Sequence, residues 1–351
     1  MKAVFHPLKP EKRALMPDLT EFAGLPVVEF PASGTWEERL ERIRERGGDP
    51  RDPASRAWRL RTSEHLRRPP EDKGADYLAR FLSEVDTGQL TALVIGEWGY
   101  ASDGGLYQAA DLLVEHADAL PNLRSVFFGD ITFDECELSW ISQPDLAPLV
   151  AAFPRLEELT VKGADGMEGQ LGLHVPSHEA LRSLTLESGG LPGRVVREVA
   201  SSALPGLEHL ELWLGMEEYG GCASPQDLAP VLSGEAFPRL RYLGVRNAEH
   251  WTEWVPVLAG APVVKRLEVL DLSLGILTDQ GARELVDRAE AFSGLRKLDL
   301  HHHFLSEGMV ERVRAAFAGT GVELDLDVGR DEEDREDDED EEPYYYTAAS
   351  E

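Results

Sequence analysis

The residues of this chain best suited to chemistry are three consecutive histidines, His301, His302 and His303, because imidazole is a common ligand for zinc and related metals. Asp271, Asp299 and Asp325 stand at comparable places in neighbouring segments. A metal-dependent enzyme or metal-binding protein using His301, Asp271 and Asp299 is therefore one reading. Its weakness is spacing: successive residues of a strand point to opposite faces, so His301 and His302 cannot aim at one ion without a bend. The plainer expectation turns His303 inward as a hydrogen-bonding group, with its neighbours paired nearby. Paired carboxylates such as Asp271 and Asp299 also suit acid-base work, yet a regular strand ladder sets such pairs side by side for no catalytic reason. A Gly-x-Ser-x-Gly elbow, a His-Glu-x-x-His helix, a phosphate loop and a dinucleotide turn are all absent from the sequence. Gly189-Gly-Leu-Pro-Gly193 lacks the Lys-Ser/Thr ending of a phosphate cradle and reads as a turn. The expectation is a protein that is not an enzyme and needs no cofactor. Cys136 and Cys222 lie far apart, outside any Cys-x-x-Cys spacing. Both are expected to be reduced and partly buried, as suits a reducing cytoplasm.

What must position these side chains is a repeat. The phrase Leu-x-x-Leu-x-Leu begins at Leu90, Leu123, Leu156, Leu181, Leu207, Leu240, Leu267 and Leu295, with a short echo at Leu324 and Leu326. The spacings lie near or somewhat beyond the roughly 20 to 29 residues of leucine-rich repeats. In each copy the alternating part predicts a short parallel strand, and the remainder has room to return the chain through a helix. After Leu267, Thr278 or Asp279 can cap a helix whose apolar face is Ala282, Leu285 and Val286. Leu305-Ser-Glu-Gly308 followed by Met309, Val310 and Val313 repeats the device. These copies resemble the ribonuclease-inhibitor-like subclass. The fold class is α/β: a leucine-rich-repeat solenoid, or horseshoe, with a parallel concave sheet and helices on the convex side. Gly275 and His303 occupy the place where such repeats usually carry asparagine, so an irregular horseshoe is expected whose buried amides are met by water or tighter turns.

Before Leu90 the pattern changes. Phe22–Phe30 and Ala57–Leu60 read as strands, and Trp58, Tyr77, Leu78, Phe81 and Leu82 supply apolar material. Residues 1–85 are assigned to an N-terminal cap, 86–328 to the repeats and 329–351 to an acidic C-terminal tail. Asp331 to Glu342 holds eleven acids and one arginine, a run too self-repelling to fold alone. Beyond it, Pro343 to Glu351 has two options, to dock back on the last repeat or to stay loose.

In a strand of this kind the leucines face the core and the residues between them line the concave sheet. That places Glu187, His209, Glu211, Trp213, Tyr242, Arg246, Asp271, Asp299 and His301 on one surface, together with Lys162, Ser273 and Lys297. An exposed tryptophan beside tyrosine and arginine is the kind of cluster that anchors an interface. The alternative is a solvated sheet in which an inserted loop such as Glu217 to Cys222 covers Trp213. Leu207–Gly215, Leu267–Gly275, Leu298–His303 and Gly129–Cys136 resemble an uncharacterised family of cytoplasmic leucine-rich-repeat proteins of actinobacterial type. The resemblance covers roughly residues 20 to 330. Its genes tend to lie beside those of radical-SAM-type and other enzymes, so it implies an accessory role and carries over no catalytic residue.

The charge narrows the partners. Thirty-five Lys and Arg face 65 Asp and Glu, a net of −30, and so negative a surface repels nucleic-acid phosphates and anionic lipids. Without residues 331–342 the net is still −20. Met1 to Met16 lacks the unbroken apolar stretch of an export signal, and no run approaches eighteen apolar residues. The expected partner is a protein or peptide in the cytoplasm, held on the concave face, with the acidic tail solubilising the chain, binding a basic partner itself, or competing for the Arg246 and Lys297 region with Tyr344 to Tyr346 as its anchor.

Overall fold

A computed structural model of the chain describes residues 16–62, 74–99, 105–166, 169–328, 335–336 and 344–349. Within them one open sheet runs in strict chain order: β1 (Glu21–Phe22), β2 (Leu25–Phe30), β3 (Ala57–Leu60), β4 (Ala92–Gly96), β5 (Ser125–Asp130), β6 (Glu158–Lys162), β7 (Ser183–Glu187), β8 (His209–Gly215), β9 (Tyr242–Ala248), β10 (Val269–Asp271), β11 (Lys297–Asp299) and β12 (Glu323–Asp325). Only β1, in a tight hairpin with β2, is antiparallel; the steps from β2 to β12 are parallel. A parallel neighbour requires the chain to cross back over the sheet, and doing so one strand at a time makes a solenoid. The second repeat position stays in register throughout, from Leu93 to Val126, Leu159, Leu184, Leu210, Leu243, Leu270, Leu298 and Leu324. The protein is thus the α/β leucine-rich-repeat solenoid that the spacing predicts.

The return segments carry helices that close the core from the convex side: α1 (Trp36–Glu45), α2 (Gly74–Glu84), α3 (Gly105–Glu115), α4 (Ala147–Ala152), α5 (Gly193–Ala200), α6 (Ala229–Leu232), α7 (Trp251–Gly260), α8 (Asp279–Asp287) and α9 (Glu307–Phe317). In α3, Leu106, Ala109, Ala110 and Leu113 are buried, and in α9, Met309, Val313 and Phe317 are. Ser306 caps α9 by accepting from the Met309 amide at 3.2 Å. The capping expected for α8 is different. Thr278 sits at its N-cap position without a side-chain bond, and Asp279 instead accepts from the Ser306 amide and hydroxyl, both at 2.8 Å.

Several groups replace the asparagine ladder. His303 is 1 % exposed and turned inward as expected: one ring nitrogen lies 3.3 Å from the Leu326 carbonyl and the other accepts from the Leu305 amide at 3.2 Å. Outside the ladder position, three residues before Leu181, His178 likewise bridges the Phe153 carbonyl and the Leu181 amide. Gln143 donates to the Lys162 carbonyl at 2.6 Å. At Gly275 no side chain serves. A Cβ there would meet the Ala248 carbonyl oxygen at 2.4 Å, and the bare glycine lets Ile276 donate to that carbonyl at 2.9 Å.

At the N-terminal end β2 and β3 continue the repeat sheet, with Trp58, Tyr77, Leu78 and Phe81 buried in the same core. The concave side of this third is roofed. Phe22 meets Phe127 edge-on at 5.8 Å, in an apolar cluster with Ala57, Ala92 and Val94 against Leu19, Leu25 and Val27. Arg59 and Arg61 hold the roof, donating to the Leu19 carbonyl at 2.6 Å and to Asp18 at 2.8 Å.

Residues 344–349 pack, with Thr347, Ala348 and Ala349 buried, so of the two options for this segment it packs back on the repeats. β13 (Arg335–Glu336) pairs antiparallel with β14 (Tyr344–Tyr345). The rest of the acidic run, like residues 1–15, lies outside the described residues. No helix among those described is long and apolar enough to cross a membrane.

Candidate binding face

From β6 to β12 the concave sheet is free of the N-terminal roof, and its middle row is strongly acidic. Thr160, Thr185, Glu211, Gly244, Asp271, Asp299 and Asp325 follow one another in register. Strands stand about 4.8 Å apart, so four carboxylates in such a row repel one another unless cations flank them. The flanking residues supply the cations.

Around β8 to β10 the donors converge on Glu211. Arg246 pairs with it at 2.6 Å and with Asp271 at 3.4 Å, and its Nε donates to the Ser273 hydroxyl at 2.9 Å. The Trp213 indole donates to Glu211 at 2.6 Å, and the Arg246 guanidinium lies 5.2 Å from the Trp213 ring. The Tyr242 hydroxyl is 2.9 Å from Glu211 and 2.7 Å from Asp271, so one proton is shared between two carboxylates. Gly244 makes room for this: a Cβ there would crowd Glu211 Cγ at 3.0 Å and the Tyr242 ring at 3.1 Å. Burial pushes the Glu211 carboxyl up, but His209, Arg246 and Trp213 more than reverse it and hold it at about 2. The Tyr242 phenol is driven well above its ordinary range, by burial first and then by the two carboxylates. Burial opposes the Arg246 charge, yet Glu211 and Asp271 raise its value on balance.

Around β11 a second cluster forms. Lys297 lies 2.8 Å from Asp299 and 3.3 Å from Asp325, and His301 Nδ1 is 2.6 Å from Asp299. The hydrogen bond to Asp299 raises the His301 value against the effect of burial. Donor atoms of Asp299, His301 and Asp325 fall within 4.8 Å of one another, but the Lys297 ammonium already holds both carboxylates as their cation. Asp271 belongs to the other cluster. The metal set read from His301, Asp271 and Asp299 is therefore not assembled as such, and His302, 4 % exposed with φ +56°, is turned away into the structure.

The structure brings Glu211, Trp213, Tyr242, Arg246 and Asp271 together and sets Asp299 and His301 beside them. Glu187 pairs instead with Lys162 at 3.9 Å; a fifth of its side chain reaches solvent, yet burial raises its carboxyl despite the lysine. Trp213 is not the exposed anchor that its type suggested: it is 8 % exposed and serves the network from within. Cys222 likewise departs from expectation, being exposed, while Cys136 is half-buried and neither is in a disulfide. The half-buried residues form a separate row at the strand starts, where Ser183, His209, Tyr242, Val269 and Lys297 align. There the His209 and Tyr242 rings stack with centroids 3.9 Å apart. Lys297 and Asp325 were legible as ladder residues, whereas Gly244 gave no signal, because its role depends on who stands beside it.

No protein-family model matches the sequence, and no curated protein does. Among solved structures, a leucine-rich-repeat protein of Leptospira interrogans is 12 % identical, covering 84 % of this chain and 99 % of its own, at a TM-score of 0.20, too low to bear on this fold. A Bacteroides fragilis protein solved by a structural genomics consortium aligns with a TM-score of 0.68 over 78 % of this chain and 73 % of its own. With 30 % sequence identity over that span, the chain belongs to the same family as this Bacteroides fragilis protein.

Proposed function

We propose that the protein is a non-catalytic interaction scaffold that holds a protein or peptide partner on the concave face from β7 to β11. The observation that carries this reading is the accessible row of His209, Tyr242, Val269 and Lys297 above a polar row whose carboxylates are already paired. A stacked aromatic pair, an apolar side chain and a cation offer contact area and hydrogen bonds of the kind that anchors interfaces. The paired groups below are held by several partners each, which suits a rigid floor and leaves no base poised against a nucleophile. The chain's resemblance to the actinobacterial-type cytoplasmic family supports an accessory role beside a neighbouring enzyme. The strong negative charge favours a protein partner with basic patches over nucleic acid or an anionic membrane.

The test is affinity capture from native extract, followed by titration of the purified partner. A Val269→Glu chain leaves His209, Tyr242, Arg246 and Lys297 in place and is expected to bind about tenfold or more weakly, with a cooperative melt retained. Glu311→Lys, on the convex α9, is expected to bind normally. A partner that binds the concave variant as well as wild type would remove this reading.

A further inference from the structure

The chain's last described residues lie across the ends of β9, β10 and β11. The Ala348 amide donates to the Leu274 carbonyl at 2.9 Å. Asn247 then grips the next residue's main chain at two points, donating to the Ala349 carbonyl at 2.6 Å and accepting from the Ala349 amide at 3.1 Å. The Tyr345 ring packs on Phe304 with centroids 4.7 Å apart. Thr347, Ala348 and Ala349 are 0 %, 6 % and 5 % exposed.

The floor of this groove is unusual. Asn247, Leu274 and His302 each stand three residues past the aligned Gly244, Asp271 and Asp299, and each adopts a left-handed backbone, with φ of 55°, 65° and 56°. That conformation is costly for a non-glycine residue and tends to cluster at binding sites. Here it recurs on three adjacent strands, at the place where another segment lies. The Leu274 amide still continues the ladder to the His301 carbonyl at 3.1 Å while its own carbonyl receives the tail.

We infer that this groove is a binding site for extended peptides, and that residues 344–349 are its built-in, displaceable occupant. Asn247 reads main chain, which any sequence offers, and selectivity comes from the burial around it. The ligand class is an extended segment with two small residues in succession and an aromatic residue three positions before them. Two features make the tail a replaceable occupant. The buried Thr347 hydroxyl has no hydrogen-bond partner among the described residues, which burial makes unfavourable, so valine or alanine there fits better. The linking residues 331–342 also carry eleven acids, on a chain whose remainder is itself at −20, and that like charge favours release. This site is distinct from the concave row and does not rest on its reading.

A labelled synthetic peptide of residues 344–351, titrated with the full-length chain and followed by anisotropy, tests the inference. Ala348→Arg unseats the tail without altering the body. That chain is expected to bind the peptide about tenfold or more tightly than wild type, whose tethered tail competes at roughly millimolar effective concentration. Adding Asn247→Gly, which keeps the left-handed backbone and removes the amide, is expected to abolish binding. Equal affinity of wild type and Ala348→Arg overturns the inference, as does binding indifferent to Asn247→Gly or no binding by an Ala348→Arg chain that melts like wild type. Should Ala348→Arg melt early, hydrogen exchange over residues 344–349 decides: protection lost on Asn247→Gly supports the site, and no protection in wild type refutes it. A wild-type dimer that dissociates on Ala348→Arg assigns the tail to a second copy and overturns the intramolecular placement.

Discussion

Lys297 shows how one side chain changes the meaning of its neighbours. Asp299, His301 and Asp325 have the donor types and proximity of a metal set, yet an ammonium 2.8 Å from one carboxylate and 3.3 Å from the other gives them a cation from within the chain. His301 completes the arrangement by its bond to Asp299. Because that bond raises its value above that of free histidine, the folded chain keeps the proton to higher pH than the unfolded chain does. Its stabilisation is therefore full below about pH 6.5 and disappears as pH rises through the folded value. Thermal melts of wild type and His301→Gln between pH 5.5 and 9 are expected to show wild type ahead at the acid end and the gap closing with rising pH. A gap that is constant or widens would contradict the assignment.

The elements are joined by side chains that serve two of them at once. Ser306 caps α9 through the Met309 amide and also donates its hydroxyl to Asp279 at the start of α8. Loss of an N-cap costs about 1 kcal/mol, and here the bond to Asp279 goes with it. Ser306→Ala is expected to lower stability by about 1 kcal/mol or slightly more, read as a shift of the urea midpoint at unchanged slope; an unmoved midpoint would show the cap to be redundant. The helices themselves were legible, since Met309 and Val313 recur at helical spacing. The link between α8 and α9 was not, because Thr278 and Asp279 are equally good caps by type and only the approach of Ser306 decides which role Asp279 takes.

Across the whole molecule the first and last described segments behave alike: each lies over the sheet that the repeats build. Residues 18–25 roof the concave side of β2 to β5 through Phe22, Arg59 and Arg61, and residues 344–349 cross the ends of β9 to β11. The cations once open to the tail are committed elsewhere, Arg246 to Glu211 and Asp271, Lys297 to Asp299 and Asp325. The tail therefore closes against net repulsion, and screening should help it. The Debye length falls from about 10 Å at 0.1 M salt to about 3 Å at 1 M, so hydrogen exchange over residues 344–349 is expected to slow as sodium chloride rises over that range. Faster exchange at high salt would mean that attraction to a basic surface holds the tail.

The amino-acid sequence by itself determined the solenoid, because Leu-x-x-Leu-x-Leu alternates apolar and polar residues with the two-residue period of a strand and returns often enough to stack one strand on the next. It also determined which side chains share the concave face, from strand alternation, and that His303 turns inward, from its place three residues after the last strand leucine. What only the tertiary structure decided is how those side chains pair. The burial of Trp213, the space left by Gly244, the ammonium among Asp299 and Asp325 and the grip of Asn247 on Ala349 all join residues far apart in the chain or set by neighbours on other strands. Local pattern carries no information on such meetings, because they depend on strand register, on backbone twist at the strand ends and on where the chain's termini come to rest.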